Sequence, residues 1–141
     1  MRKADLATFF QIINEIENSY AQLAKNFGIS YNELAIFHML YKHAPCTQKQ
    51  IAEKWRLPKQ TVNNYCKVLL EKGLLCTVES RDKREKQLCF TPQGEVQTRA
   101  VLEKLEQVEQ ETLTQFGKKP FEELVTLIRA YQRCFEQVLE I

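Results

Sequence analysis

One stretch constrains the fold of this chain more than any other: Thr47 to Gly94, TQKQIAEKWRLPKQTVNNYCKVLLEKGLLCTVESRDKREKQLCFTPQG. Thr47-x-x-Gln50 is a capping box, in which each side chain satisfies the other's free backbone N–H, and it opens a short helix. Ile51, Ala52 and Trp55 form that helix's buried face, and Arg56 and Leu57 make a tight turn. A second helix runs from about Pro58 to Lys72, since Pro is tolerated at a helix start, where its missing N–H costs nothing. Val62, Cys66 and Leu69 recur at helical spacing and set its inward face, and Gly73 ends it. Leu74–Glu79 and Gln87–Thr91 read as short strands around the polar turn Ser80–Lys86. The order is helix, turn, helix, hairpin: a helix-turn-helix followed by a wing.

The flanks are helical. In residues 4–24, Leu6, Phe9, Phe10, Ile13, Ile16, Tyr20 and Leu23 recur at steps of three and four, with Gly28 as a C-terminal stop. Ser30-x-x-Glu33 is a second capping box, and Leu34, Phe37 and Tyr41 follow on one face until Ala44-Pro45 stops the helix. Thr91-Pro92 supplies an N-cap and a first-turn proline for a long helix over about 92–116. Gly117–Pro120 breaks it, and a last helix covers about 121–139. The expected fold class is mainly α with a small β-wing, and nothing marks a domain boundary within the chain.

With 141 residues and 44% hydrophobic composition, the chain can bury a real core. No apolar run approaches the roughly 20 residues a bilayer span needs. The N-terminus MRKADLATFF lacks the apolar region of a signal peptide, so a cytoplasmic location is expected. The net charge of +2 becomes informative once divided along the chain. Residues 1–41 are net −1 and residues 92–141 net −3, whereas residues 42–91 hold eleven basic and five acidic groups, net +6. A basic centre between acidic flanks suits a module that lays one face on a polyanion.

Two clusters carry that chemistry. With Val62 and Cys66 inward, Lys59, Gln60, Asn63, Asn64 and Lys67 point outward, joined by Thr61. Gln and Asn can pair bidentately with adenine edges, and Thr can meet a thymine methyl or a phosphate. Arg81, Lys83, Arg84 and Lys86 crowd the hairpin turn, a density beyond what solubility requires. Gln48, with Thr47 and Lys49, can reach a phosphate from the start of the preceding helix. The expected partner is double-stranded DNA. Trp55 reads as core packing between the two DNA-facing helices.

These motifs resemble those of the MarR family of transcriptional regulators over nearly the whole chain. The resemblance is carried by Ile51-Ala52-Glu53 leading to Thr61-Val62, by LLEKG from Leu69 to Gly73, and by the wing-tip Asp82-Lys83-Arg84 ahead of Thr91 and Gly94. It implies a single domain with a winged-helix DNA-binding lobe at about 30–91 and a helical dimerisation lobe from about 1–28 and 92–141. It further implies a symmetric homodimer on a palindromic operator, with the fourth helix in the major groove and the wing at the minor groove. Arg84 would enter that narrow, strongly negative groove, oriented by Asp82 through a charge-assisted hydrogen bond. Phe9, Phe10, Phe121, Leu124, Phe135 and Val138 are interface candidates. Many relatives repress transcription and release DNA on binding a small, often aromatic, ligand between the lobes. Phe10, Tyr20, Tyr31, Phe37 and Tyr41 are the expected walls of such a pocket. The chain departs from the pattern at Pro58, where a capping Ser is common, and at Asn64, where an Arg is common.

Other chemistries have weaker support. Five scattered cysteines without a CxxC pair read as free thiols in a reducing compartment. Cys66 lies on the inward face of the recognition helix, and Cys76 and Cys89 face one another across the hairpin, so a thiol-based redox regulator is one alternative. A winged-helix protein-interaction module is another, although such modules lose the basic wing retained here. His38 and His43 do not share a helical face, and no metal is expected. No nucleophile or phosphate loop marks an enzyme, and no cofactor is implied.

Overall fold

A computed structural model describes residues 4–81 and 85–140. The elements run α1 Leu6–Asn26, α2 Tyr31–His43, β1 Cys46–Thr47, α3 Gln48–Trp55, α4 Lys59–Glu71, β2 Leu75–Glu79, β3 Lys86–Phe90, α5 Pro92–Phe116 and α6 Lys118–Leu139. The chain divides into two compact units, residues 1–103 and 104–141, with the boundary inside α5.

Local chemistry accounts for the boundaries in the first unit. Asp5 caps α1 by accepting from the Thr8 N–H at 2.7 Å. Its C-terminus closes with Gly28 at φ 75°, which lets the Gly28 N–H reach Lys25 O and the Ile29 N–H reach Ala24 O. Ser30–Glu33 and Thr47–Gln50 both form complete capping boxes. Arg56 adopts the left-handed conformation at φ 52° and turns the chain from α3 into α4. At the end of α4, Gly73 takes φ 74° and the Leu74 N–H returns to Leu69 O.

α2 is the central helix. Leu34, Ala35, Ile36, Phe37, Met39 and Leu40 are all buried, so it is apolar nearly all round. Ile51 and Ala52 of α3, Val62, Cys66 and Leu69 of α4, and Leu75 and Leu88 of the sheet complete the core of this unit. Phe37 meets Phe90 with ring centroids 6.0 Å apart.

The sheet has a third strand that the hairpin pattern does not announce. β1 pairs antiparallel with β3, Cys46 opposite Leu88, giving the order β1-β3-β2. Two residues in a loop carry no periodicity, which is why this strand is invisible in the sequence. Trp55 is half-buried, and its ring stands edge-on to His38 of α2 at 5.9 Å. Its Nε1 is buried without a hydrogen-bond acceptor.

The second unit is a pair of helical segments joined at Gly117, φ 108°. α6 begins at Lys118, three residues before the expected start, because Pro120 falls in its first turn, where no backbone donor is required. No residue of α6 is buried. Phe121, Leu124, Val125, Ile128, Tyr131, Phe135, Val138 and Leu139 recur on it at helical spacing and are exposed.

Candidate nucleic-acid interface

The burial of α4 divides it cleanly. Val62, Cys66 and Leu69 are at most 1% exposed, whereas Lys59, Gln60, Asn63, Asn64 and Lys67 are exposed and Thr61 is half-buried. The apolar stripe therefore fixes the helix's rotation and turns its polar face outward. Pro58 provides no side-chain cap, so the first backbone N–H groups of α4 have no side-chain acceptor there. Gln60 Nε2 donates to Asn64 Oδ1 at 2.9 Å. That contact uses one Gln60 amide hydrogen and the Asn64 carbonyl oxygen, leaving Gln60 an acceptor and Asn64 its amide donors.

The wing is a regular antiparallel ribbon. Its register pairs Leu75 with Phe90, Cys76 with Cys89, Thr77 with Leu88, Val78 with Gln87 and Glu79 with Lys86. Side chains alternate between faces. Leu75, Leu88 and Phe90 share the core face, and Cys76, Cys89, Val78 and Gln87 share the other. Near the tip, Ser80 Oγ donates to Glu85 O at 2.8 Å. Arg81 and Lys86 are both exposed. Lys83 and Arg84, expected DNA contacts at the tip, and Asp82, expected to orient Arg84, lie outside the described residues.

The base of the wing is tied to α4 and α5 through one side chain. Thr91 Oγ1 donates to Gly73 O at 2.6 Å and accepts from the Gly94 N–H at 2.9 Å. The Thr91 N–H bonds Leu74 O at 3.1 Å. Thr91 thus caps α5 and ties it to the end of α4.

Gln48 is half-buried in the first turn of α3, and Lys49 beside it is exposed. Thr47 is 8% exposed, and its Oγ1 already accepts from the Gln50 N–H. Thr47 therefore serves the cap, and Gln48 and Lys49 are the other polar side chains of this turn.

The five expected pocket aromatics do not converge. Phe37 is 2% exposed and belongs to the core. Phe10 is exposed beside Phe9, with ring centroids 5.3 Å apart, and Tyr20 is half-buried on α1. Tyr31 is half-buried, and desolvation, with the Glu17 carboxylate, raises its phenol above the usual range. Tyr41 lines a cavity of about 420 Å³, together with Leu40, Cys89, Phe90, Glu95, Arg99 and their neighbours. The α5 lining residues Glu95, Thr98, Arg99 and Leu102 recur at steps of three and four, a mostly polar face that apolar periodicity does not pick out.

Among the described residues, no group of three or more His, Cys, Asp or Glu side chains is placed to hold a metal ion. No described helix is long and apolar enough to cross a membrane.

A helix-turn-helix with an outward polar second helix, followed by a cationic hairpin, defines a winged helix-turn-helix protein. Residues 27–85 match the family model described as MarR family. A MarR family regulator from Neisseria meningitidis is 29% identical, with 98% of each chain covered and a TM-score of 0.86. Two more distant structures share the fold. S. aureus MepR, solved in a complex with DNA, is 19% identical over 93% of this chain and 96% of that one, TM-score 0.74. Streptomyces coelicolor PcaV, solved with its natural ligand, is 20% identical over 94% and 98%, TM-score 0.68. No curated protein matches the chain by sequence. Over its winged-helix segment, and in fold along nearly its whole length, the chain is similar to MarR family regulators.

Proposed function

We propose that this protein is a cytoplasmic, sequence-specific DNA-binding repressor that acts as a homodimer on a palindromic operator and is released by a small aromatic ligand. The observation that carries the reading is the division of α4: a buried apolar stripe holding Lys59, Gln60, Asn63, Asn64 and Lys67 outward. Thr61 flanks that face. The wing cations Arg81, Lys83, Arg84 and Lys86 contribute phosphate and minor-groove contacts, with Asp82 orienting Arg84, and Gln48 contributes a phosphate contact from α3. Residues 30–91 form the DNA-binding lobe, and residues 1–28 with 92–141 the dimerisation lobe. The solved MepR–DNA complex, built on the same fold, supports this mode.

Dimerisation is supported by α6, which exposes Leu127 at 69%, Phe135 at 54% and Val138 at 85%. An apolar stripe of that extent is stable in water only when another surface covers it. A second copy covers it and doubles the length of DNA read, with half-sites about one helical turn apart.

Ligand release is supported by the cavity beside Tyr41 and Phe90. Its Arg99 guanidinium and its aromatic side chains suit a small aromatic acid, and Cys89 and Phe90 of the wing strand β3 line it. The structure of PcaV with its natural ligand supports such a site on this fold. Footprinting on the gene's own upstream DNA, repeated with candidate aromatic acids, tests the whole proposal. Two protected half-sites that vanish with one ligand are expected. Absence of binding at low salt overturns the proposal.

A further inference from the structure

Cys76 and Cys89 occupy directly opposed positions in the wing, and their Sγ atoms are 3.2 Å apart. A disulfide bond is about 2.05 Å long and joins Cα atoms about 4.4–6.8 Å apart. Opposed residues of an antiparallel pair lie about 4.5–5.5 Å apart at Cα, so the backbone already meets the requirement. Roughly half an ångström of movement by each sulfur closes the bond.

The other cysteines are not placed this way. Cys46 and Cys66 are both buried, at 2% and 0% exposure, and out of reach of a soluble reagent. Cys134 is exposed on α6, in the second compact unit. Cys76 and Cys89 are half-buried: close enough to react together and open enough to be reached.

We propose that Cys76 and Cys89, opposed across the wing with sulfurs in contact, form a reversible disulfide driven by a low-molecular-weight disulfide such as oxidised glutathione, and that its closure retunes the wing for DNA. One thiol loses its proton to solvent and attacks a sulfur of oxidised glutathione, releasing one glutathione thiolate and leaving a mixed disulfide. The second thiol, deprotonated in turn, attacks the protein sulfur of that mixed disulfide and expels the second glutathione. Two protein thiols are oxidised, one glutathione disulfide is reduced, and two glutathiones leave with the two protons.

The resting state is the dithiol. The hydrogen bond with Cys76, then burial, holds the Cys89 thiol up to about 11, so Cys89 keeps its proton at neutral pH.

Closure matters because of where the pair sits. It lies one pair above Leu75–Phe90 at the base of the ribbon, with the Thr77–Leu88, Val78–Gln87 and Glu79–Lys86 pairs between it and the tip. A covalent bond there constrains the ribbon's twist, and the error in aim accumulates toward the tip. Cys89 and Phe90 also line the cavity, so closure acts on that wall as well. This effect on DNA rests on the proposed DNA-binding function; the disulfide itself does not.

The test uses the full chain carrying Cys134→Ser, which removes the exposed solitary thiol. It is incubated natively with oxidised glutathione, its thiols are counted after denaturation, and its peptides are mapped. The expected result is loss of two thiols with a Cys76–Cys89 linked peptide, reversed by reduced glutathione. Stable glutathione adducts or a full complement of free thiols would overturn the disulfide. DNA affinity is then compared between reduced and oxidised protein. A change of about fivefold or more, absent in Cys76→Ser/Cys89→Ser/Cys134→Ser, is expected. Equal affinity overturns the regulatory half alone. Failure of the reduced protein to bind DNA at low salt refutes the proposed function and leaves the disulfide result standing.

Discussion

Gly94 lies against the backbone carbonyl of Leu74 so closely that a Cβ on it would overlap the carbonyl oxygen and carbon. The obstacle is backbone, which cannot rotate away as a side chain would. Leu74 follows the end of α4, and Gly94 lies in the first turn of α5 after the wing, so their approach locks the wing's base to both.

Gly94→Ala is therefore expected to destabilise the protein by about 2–4 kcal/mol, through a forced backbone shift. Gly28→Ala is the control: Gly28 has open space around it, and its positive φ costs the variant about 1 kcal/mol. Denaturant titration of both variants measures the difference. Equal losses would contradict the close approach.

Thr91→Val keeps the shape of the side chain and removes its hydroxyl. The Gly94 N–H loses its cap and Gly73 O loses a donor. A stability loss of about 1–2 kcal/mol is expected. Because the same hydroxyl positions the wing base, a weakening of DNA binding beyond that caused by partial unfolding is also expected, read at a temperature where the variant is fully folded.

Charge on α4 separates by its salt dependence. Lys67→Ala is expected to lower affinity similarly for all sequences and to flatten the slope of log affinity against log salt by about one. Asn64→Ala is expected to leave the slope unchanged and relax specificity at one base pair, at a cost of about 1–3 kcal/mol for the preferred sequence. Binding isotherms at several salt concentrations distinguish the two.

Burial, assisted by the neighbouring Cys46, pushes the Cys66 thiol up to about 11 from the usual 9.0. The folded state thus holds this proton more tightly than the unfolded chain does. Its contribution to stability is complete below pH 9.0 and is lost as the pH rises toward 11. The loss is on the order of 2–3 kcal/mol. Cys66→Ala is less stable throughout because it leaves a cavity, but its stability should fall less steeply over this alkaline range. Parallel curves for the two proteins would refute the shift.

The elements fixed by local chemistry were legible in the sequence. The capping boxes at Ser30 and Thr47, the stops at Gly28 and Gly73 and the inward face of α4 all follow from residue types at fixed spacing, and the structure contains them. The opposition of Cys76 and Cys89 followed from hairpin register, once the turn was placed at Ser80–Lys86. Long-range packing was not legible. β1 at Cys46–Thr47 exists only because β3 presents an edge to it. Gly94 reads as an ordinary early-helix residue until Leu74 O is seen beside it. Phe37 and Tyr41 share a face by periodicity, yet Phe37 is core and Tyr41 lines the cavity. Periodicity gives a direction around the helix axis and says nothing about how far neighbouring elements extend along it.

Arg84→Ala addresses the wing directly, since a cation in the minor groove acts through the concentrated negative potential there. An affinity loss of about tenfold is expected at moderate salt, with the fold unchanged by circular dichroism.

The decisive measurement is a binding titration of the wild-type protein on its own upstream DNA, followed by fluorescence anisotropy at low and moderate salt. A Lys59→Ala/Gln60→Ala/Asn63→Ala variant runs alongside. Tight binding that falls steeply with salt in the wild type, and loss of preference over unrelated DNA in the variant, is the predicted result. Equal affinity of wild type and variant for the upstream DNA would contradict the assignment of α4 as the reading helix.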